Sequence, residues 1–198
     1  MCRIKFWLNF DSTGETTINS SLAECSTGGF SLALGRAVFL DRDGVLTRER
    51  VDYVKTPEEL ETLPGIYEPL RKIREKGFRI VLITNQSVVG RGSATHEGLA
   101  EIHEKLRQEL RQHGCHLDAV YYCPHIPEDH CSCRKPEPGM ILKAAKELGI
   151  DPTQSWVIGD KEIDMEAARR AGCRGIKVLT NGDGLARAVG EIIAEESC

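Results

Sequence analysis

Five short apolar runs punctuate the chain from residue 37 onward: "AVFLD" (37–41), "RIVLITN" (79–85), "DAVYYC" (118–123), "SWVIGD" (155–160) and "GIKVLT" (175–180). Much of the sequence between them carries a helical period. Leu99, Ile102, Leu106 and Leu110 recur at steps of three and four before Gly114. Ile141, Leu142, Ala145 and Leu148 repeat the pattern before Gly149, and Ile163, Ala167, Ala168 and Ala171 before Gly172. Near-continuous apolar strands alternating with amphipathic helices fit a parallel sheet covered on both faces. The pattern therefore predicts an α/β fold with five parallel strands. In open sheets of this kind ligands collect beyond the carboxyl ends of the strands. Three of the runs end in polar residues: Asp41, then Thr84 and Asn85, then Asp160.

A length of 198 residues suits one domain, assigned here to residues 37–198. Residues 1–36 are rich in Ser, Thr and Gly, show no sustained period and read as a poorly ordered extension with no assigned chemistry. The net charge of −4 offers no basic field for nucleic acid, so no such partner is expected. No apolar stretch approaches the roughly 20 residues of a bilayer span. The opening "MCRIKFWLNF" breaks its apolar run at Asn9 and Asp11, which argues against a signal peptide. The expectation is a cytoplasmic protein with no membrane partner.

The segment "FLDRDGV" places Asp41 and Asp43 together where the first run stops. Nearby carboxylates repel unless positive charge lies between them. Asp41 can attack phosphorus to form an aspartyl-phosphate, and Asp43 can protonate the leaving oxygen and then deprotonate water. A hard divalent cation, Mg²⁺, supplies the missing charge, with the Asp41 carboxylate, the Asp43 backbone carbonyl and the Asp160 carboxylate as expected ligands. The alternative is an ordinary polar turn. A calcium loop is excluded because Val45 and Thr47 stand where oxygen donors belong.

In "ITNQSVVGRG", Thr84 offers a hydroxyl and the following turn backbone N–H groups for a phosphoryl group, or the pair Thr84 and Asn85 merely caps a helix. Neither a dinucleotide fingerprint nor a P-loop occurs. In "CRKPEPGM", Lys135 can reach phosphoryl oxygens and Arg134 a second anionic group or a sugar hydroxyl, unless both are surface charges. In "GDKEID", Asp164 lies one helical turn after Asp160 and suits a helix start, while Lys161 can pair with Asp41 or touch substrate.

Of eight cysteines, three crowd beside a histidine as Cys123, His125, Cys131 and Cys133. Three thiolates and an imidazole form a closed tetrahedral Zn²⁺ set, structural in role because no position is left for water. A disulfide is the alternative, as is His130 for a ligand.

With "DRDGV", "TNQS", "RKP" and "GDKEID" in order, residues 37 to about 180 resemble the haloacid dehalogenase superfamily of phosphohydrolases. The resemblance implies a Rossmann-like core with strand order 5-4-1-2-3 and a catalytic Mg²⁺, and the lack of a long insertion after residue 49 or near residue 90 predicts no large cap. The resemblance also implies catalytic roles for Asp41, Asp43, Thr84 and Lys135. Together with the zinc loop, these motifs are similar to those of the heptose-bisphosphate phosphatases in that superfamily. That similarity implies a phosphorylated sugar as substrate, removal of its 7-phosphate in making lipopolysaccharide or S-layer precursors, and a monomer. "RERVDY" and "TNQS" then bring Arg50, Asp52, Tyr53, Asn85, Gln86 and Ser87 to the substrate, beside Arg134 and Lys161. Val88 departs from the pattern, standing where a glycine is common. Histidinol phosphate is the alternative substrate, and a non-catalytic zinc-stabilised binding module the alternative of a different class.

Overall fold

The computed structural model describes residues 34–196. Most of the expected extension over residues 1–36 lies outside the described residues. Gly35 and Arg36, at its end, already join the domain. Gly35 N–H donates to Gly149 O at 2.7 Å and Gly35 O accepts from Asp151 N–H at 2.8 Å. The Arg36 guanidinium lies over the Phe78 ring, 4.2 Å from its centroid.

The five runs form strands β1 (Ala37–Leu40), β2 (Arg79–Asn85), β3 (Ala119–Cys123), β4 (Trp156–Gly159) and β5 (Arg174–Lys177). All neighbouring pairs are parallel, in the order β3-β2-β1-β4-β5, which is the expected order read from the other edge. The last strand stops at Lys177 rather than Thr180. Beyond it the chain bends, with Asn181 at φ +57° and its N–H donating to Gly44 O.

Among the described residues six helices accompany the sheet: α1 (Tyr67–Glu75), α2 (Ser87–Gly90), α3 (His96–Gln112), α4 (Gly139–Leu148), α5 (Glu162–Ala171) and α6 (Gly184–Glu195). Val38, Leu40, Ile80, Leu82 and Ile158 of the strands share one apolar cluster with Leu70 and Ile73 of α1, Leu106 and Leu110 of α3, and Val189 and Ile192 of α6. Successive strand residues point to opposite faces. Phe39, Val81, Ile83 and Val157 therefore face the other side, where α4 and α5 pack on the strands. The periodic leucines and isoleucine of α3 are fully buried, each contributing about 1.5–3 kcal/mol of hydrophobic stabilisation. Helix α3 begins where the Thr95 hydroxyl accepts from Gly98 N–H at 3.0 Å.

The order of connection creates the site. From β1 the chain runs outward through β2 to β3, then crosses to the other side of β1 for β4. The segments leaving β1 and β4 diverge, which opens a crevice at their carboxyl ends. Between β1 and α1 lies only a short flap, closed by a bridge between Thr47 and Thr62 and containing one 3-10 turn, Pro57–Glu59.

Candidate active site

Asp41 follows β1, Asp160 follows β4, and Asp164 sits in the first turn of α5. Their carboxylate oxygens lie within 4.8 Å of one another, and all three residues are buried. Gly44 makes this approach feasible. Its φ is +84°, and a Cβ there would stand 2.5 Å from Asp160 Oδ2, so only glycine fits the turn.

Lys135, itself buried, enters this cluster from the loop after β3. Its ammonium lies 2.9 Å from Asp41 Oδ1 and 2.6 Å from Asp164 Oδ1, and donates to Ile83 O at 3.1 Å. Asn85 aims it. Asn85 Oδ1 accepts from Lys135 N–H and Asn85 Nδ2 donates to Lys135 O, both at 3.0 Å. Asp164 also caps α5 by accepting from Lys161 N–H at 3.0 Å, so the helix-start reading and a site role hold together.

Three buried carboxylates face one ammonium, so negative charge is left uncompensated. Burial pushes the Asp41 carboxyl up to about 6 against the pull of Lys135, with Asp164 and Asp43 adding to the rise. Burial also works to lower Lys135, but Asp41 and Asp164 outweigh it and its pKa is raised. Asp160 is raised chiefly by burial. Its Oδ2 accepts from the Thr180 hydroxyl at 2.7 Å, while its buried Oδ1 has no hydrogen-bond partner among the described residues. A hard oxygen set with excess negative charge and one bare oxygen fits an oxygen-seeking divalent cation such as Mg²⁺.

Of the three carboxylates, Asp41 opens onto a cavity of about 540 Å³, while Asp160 and Asp164 lie behind it, outside the lining. Asp41, Asp43, Thr84 and Lys135 line it, as do Arg50, Tyr53, Asn85, Ser87, Arg134 and Lys161. Two expected substrate contacts lie elsewhere. Asp52 is exposed at the flap, paired with Arg50 at 3.3 Å and Lys55 at 3.1 Å, because these neighbouring cations satisfy it in water. Gln86 is buried beneath the cavity, donating to Asp43 Oδ2 at 2.8 Å and to Thr84 Oγ1 at 2.9 Å. Lys161 pairs with Glu49 rather than Asp41. Val88 is fully buried within the single turn of α2.

Several site residues were not foreseen. Glu49 and Asn181 line the cavity, bound together through Glu49 N–H and Asn181 Oδ1 at 2.6 Å. Arg42 is 1% exposed and forks onto Asp43, Nε to Oδ1 and Nη2 to Oδ2, each at 2.9 Å. The available signal was its place between two aspartates, which offered a partner for a buried cation.

Cys123, His125, Cys131 and Cys133 form a second cluster able to hold a metal. The sulfur and Nδ1 atoms stand 3.4–3.5 Å apart along five edges. Sulfurs in a disulfide are about 2.05 Å apart, so the disulfide alternative does not hold. Edges of this length suit a tetrahedron with metal–ligand bonds of about 2.0–2.3 Å. His130 lies outside the cluster, exposed at the end of a 3-10 turn. The loop braces the cleft: Arg134 Nη1 donates to His125 O at 3.0 Å. Gly139 starts α4 so near the loop that a Cβ would stand 2.2 Å from Ser132 O.

Comparison with known proteins agrees with this geometry. Residues 132–192 match the HAD-hydrolase-like family. The D-glycero-beta-D-manno-heptose-1,7-bisphosphate 7-phosphatase of Helicobacter pylori is 41% identical over 150 residues, spanning 75% of this chain and 86% of its own. The enzyme of that name from Yersinia pestis is 39% identical over 166 residues, spanning 80% and 87%. A crystal structure of D,D-heptose 1,7-bisphosphate phosphatase from B. bronchiseptica, complexed with magnesium and phosphate, matches with a TM-score of 0.75 at 33% identity, covering 82% of this chain and 99% of that one. Identity of this depth over most of both chains, on the same sheet, means that this chain belongs to the heptose-bisphosphate phosphatase family of HAD-like hydrolases.

Proposed function

We propose that this phosphatase removes the 7-phosphate of D-glycero-D-manno-heptose 1,7-bisphosphate, with Asp41 as nucleophile and Mg²⁺ as cofactor. The observation that carries the reading is the buried trio of Asp41, Asp160 and Asp164 gathered around Lys135 at the carboxyl edge of the sheet. The ion would be held by the carboxylates of Asp41 and Asp160 and the backbone carbonyl of Asp43. Bound there, it offsets the charge of the carboxylates and of the incoming dianion.

The chain's own groups do the rest. Lys135 fixes Asp41 through Oδ1, Thr84 and Lys135 stabilise the phosphoryl oxygens, and Asn85 keeps Lys135 in place. Asp41 forms a bond to phosphorus as the sugar oxygen departs with a proton from Asp43. Asp43 then takes a proton from water, whose oxygen displaces the Asp41 carboxylate and releases inorganic phosphate. Arg50, Arg134 and Lys161 give the outer cavity a cationic rim suited to a substrate with a second anionic group. Zn²⁺ in the cysteine cluster would hold the loop that carries Arg134 and Lys135.

A cytoplasmic monomer is the matching setting. No described helix is long and apolar enough to cross a membrane. The test is side-by-side phosphate release from the α and β heptose bisphosphates and histidinol phosphate, with Mg²⁺. Preference for a heptose bisphosphate and loss of release in Asp41→Asn are expected. Faster turnover of histidinol phosphate overturns the substrate assignment, and undiminished Asp41→Asn activity overturns the nucleophile.

A further inference from the structure

A buried arginine that touches no substrate pocket needs an explanation, since an ionised side chain is costly to remove from water. Arg42 is buried between Asp41 and Asp43, and its donors have fixed destinations. Nε and Nη2 reach the two oxygens of Asp43, each at 2.9 Å. Nη2 also donates to Gln86 Oε1 at 2.9 Å, and Nη1 meets His103 Nε2 at 3.3 Å.

These contacts settle the hydrogen positions around them. A guanidinium only donates, so His103 Nε2 accepts and the proton of its neutral ring sits on Nδ1. Burial, then the charges of Arg42 and Arg107, holds His103 well below the usual histidine range, in keeping with a neutral acceptor. By the same logic Gln86 turns Oε1 toward Arg42 and its amide nitrogen toward Asp43 Oδ2, at 2.8 Å. Both oxygens of Asp43 thus accept hydrogen bonds, Oδ1 from Arg42 Nε and the Thr47 hydroxyl and Oδ2 from Arg42 Nη2 and the Gln86 amide, with Arg42 in turn held by His103 of α3. His103 is itself fixed by α3 and by the Tyr122 ring, 5.7 Å between centroids.

We propose that Arg42, anchored by His103 and Gln86, is a positioning residue that holds Asp43 with both oxygens as acceptors, the form that takes a proton from the water attacking phosphorylated Asp41. In that step the water oxygen forms a bond to phosphorus, the bond from phosphorus to the Asp41 oxygen breaks, and the water proton passes to Asp43. This inference rests on the acid–base role given to Asp43 above. It assigns the Arg42 network to the second half of the reaction. A network that only stabilised the fold would slow both halves together.

The test uses p-nitrophenyl phosphate with Mg²⁺, because p-nitrophenolate departs without protonation and the first half is spared. In His103→Leu the acceptor for Arg42 is lost. Dephosphorylation is expected to slow by about tenfold or more. A burst of p-nitrophenolate matching the enzyme concentration should precede a slow steady state, and intact-protein mass spectra of acid-quenched samples should show a phosphorylated chain. His103→Gln retains an acceptor oxygen and should show no burst. Arg42→Lys keeps the charge but loses the fork, and reports the same effect if His103→Leu does not fold. A burst in Asp43→Asn together with slow turnover and no burst in His103→Leu and Arg42→Lys overturns the inference alone. Absence of a burst in Asp43→Asn overturns the acid–base reading and the inference with it.

Discussion

The ammonium of Lys135 sits between Asp41 and Asp164, 2.9 Å from one carboxylate and 2.6 Å from the other, with its side chain 2% exposed. Removing it leaves both acids buried without a countercharge, each keeping only a backbone N–H donor, from Arg42 to Asp41 and from Lys161 to Asp164. Lys135→Met is expected to lower kcat by about 10²–10³-fold, the size of losing one preorganised charge at a transition state. Thermal unfolding of the metal-free variant should show a loss of about 3–5 kcal/mol, the cost of orphaning a buried partner. A variant as active as the parent would remove Lys135 from the site.

Protons and the cation compete for Asp41. Its carboxyl is pushed up to about 6 in the metal-free site. Mg²⁺ affinity should therefore be nearly level above that pH and weaken by about tenfold per unit below it, since one proton must leave for the ion to bind. Titration calorimetry between pH 5 and 8 measures this. The same raised value means that the metal-free native state holds more protons than the unfolded chain between 3.8 and about 6. The contribution of Asp41 to stability without metal should therefore fall as pH rises through that window.

Gly44→Ala tests the packing of the metal site without removing a ligand. At φ +84° an alanine costs about 1–2 kcal/mol in backbone strain alone. Its Cβ also displaces Asp160, so the Kd for Mg²⁺ should rise while zinc content stays the same. Calorimetry and metal analysis on one sample separate these effects. An unchanged Kd would show that Asp160 is not held by this turn.

Protein purified without added metal should carry one zinc per chain in the cluster of Cys123, His125, Cys131 and Cys133. Cys133→Ser is expected to lose it and to lower kcat by about 10²-fold, because the loop that sets Arg134 and Lys135 loosens and small misplacements are costly. Zinc-free protein with full activity would end the proposed bracing role.

Much of the fold was legible because strand and helix periods are local. The five runs became five parallel strands, and Asp41, Thr84 and Asp160 emerged at or just beyond strand ends. Helices α1 and α6 were not singled out, although Leu70 and Ile73, and Leu185, Val189 and Ile192, carry the same spacing. The cysteine cluster was readable for a related reason: four ligands within eleven residues have few ways to be far apart.

What the sequence determined by itself was the order of strands along the chain and the chemistry placed at their ends, since both follow from short-range pattern. Only the tertiary structure decided which way side chains turn in segments without a period. It sent Gln86 beneath the cavity and Asp52 outward, buried Arg42 against Asp43, and paired Glu49 with Lys161 across 112 positions. The physical reason is that burial, charge pairing and hydrogen-bond satisfaction there depend on partners supplied by distant elements, and no stretch of sequence contains both sides of such a contact.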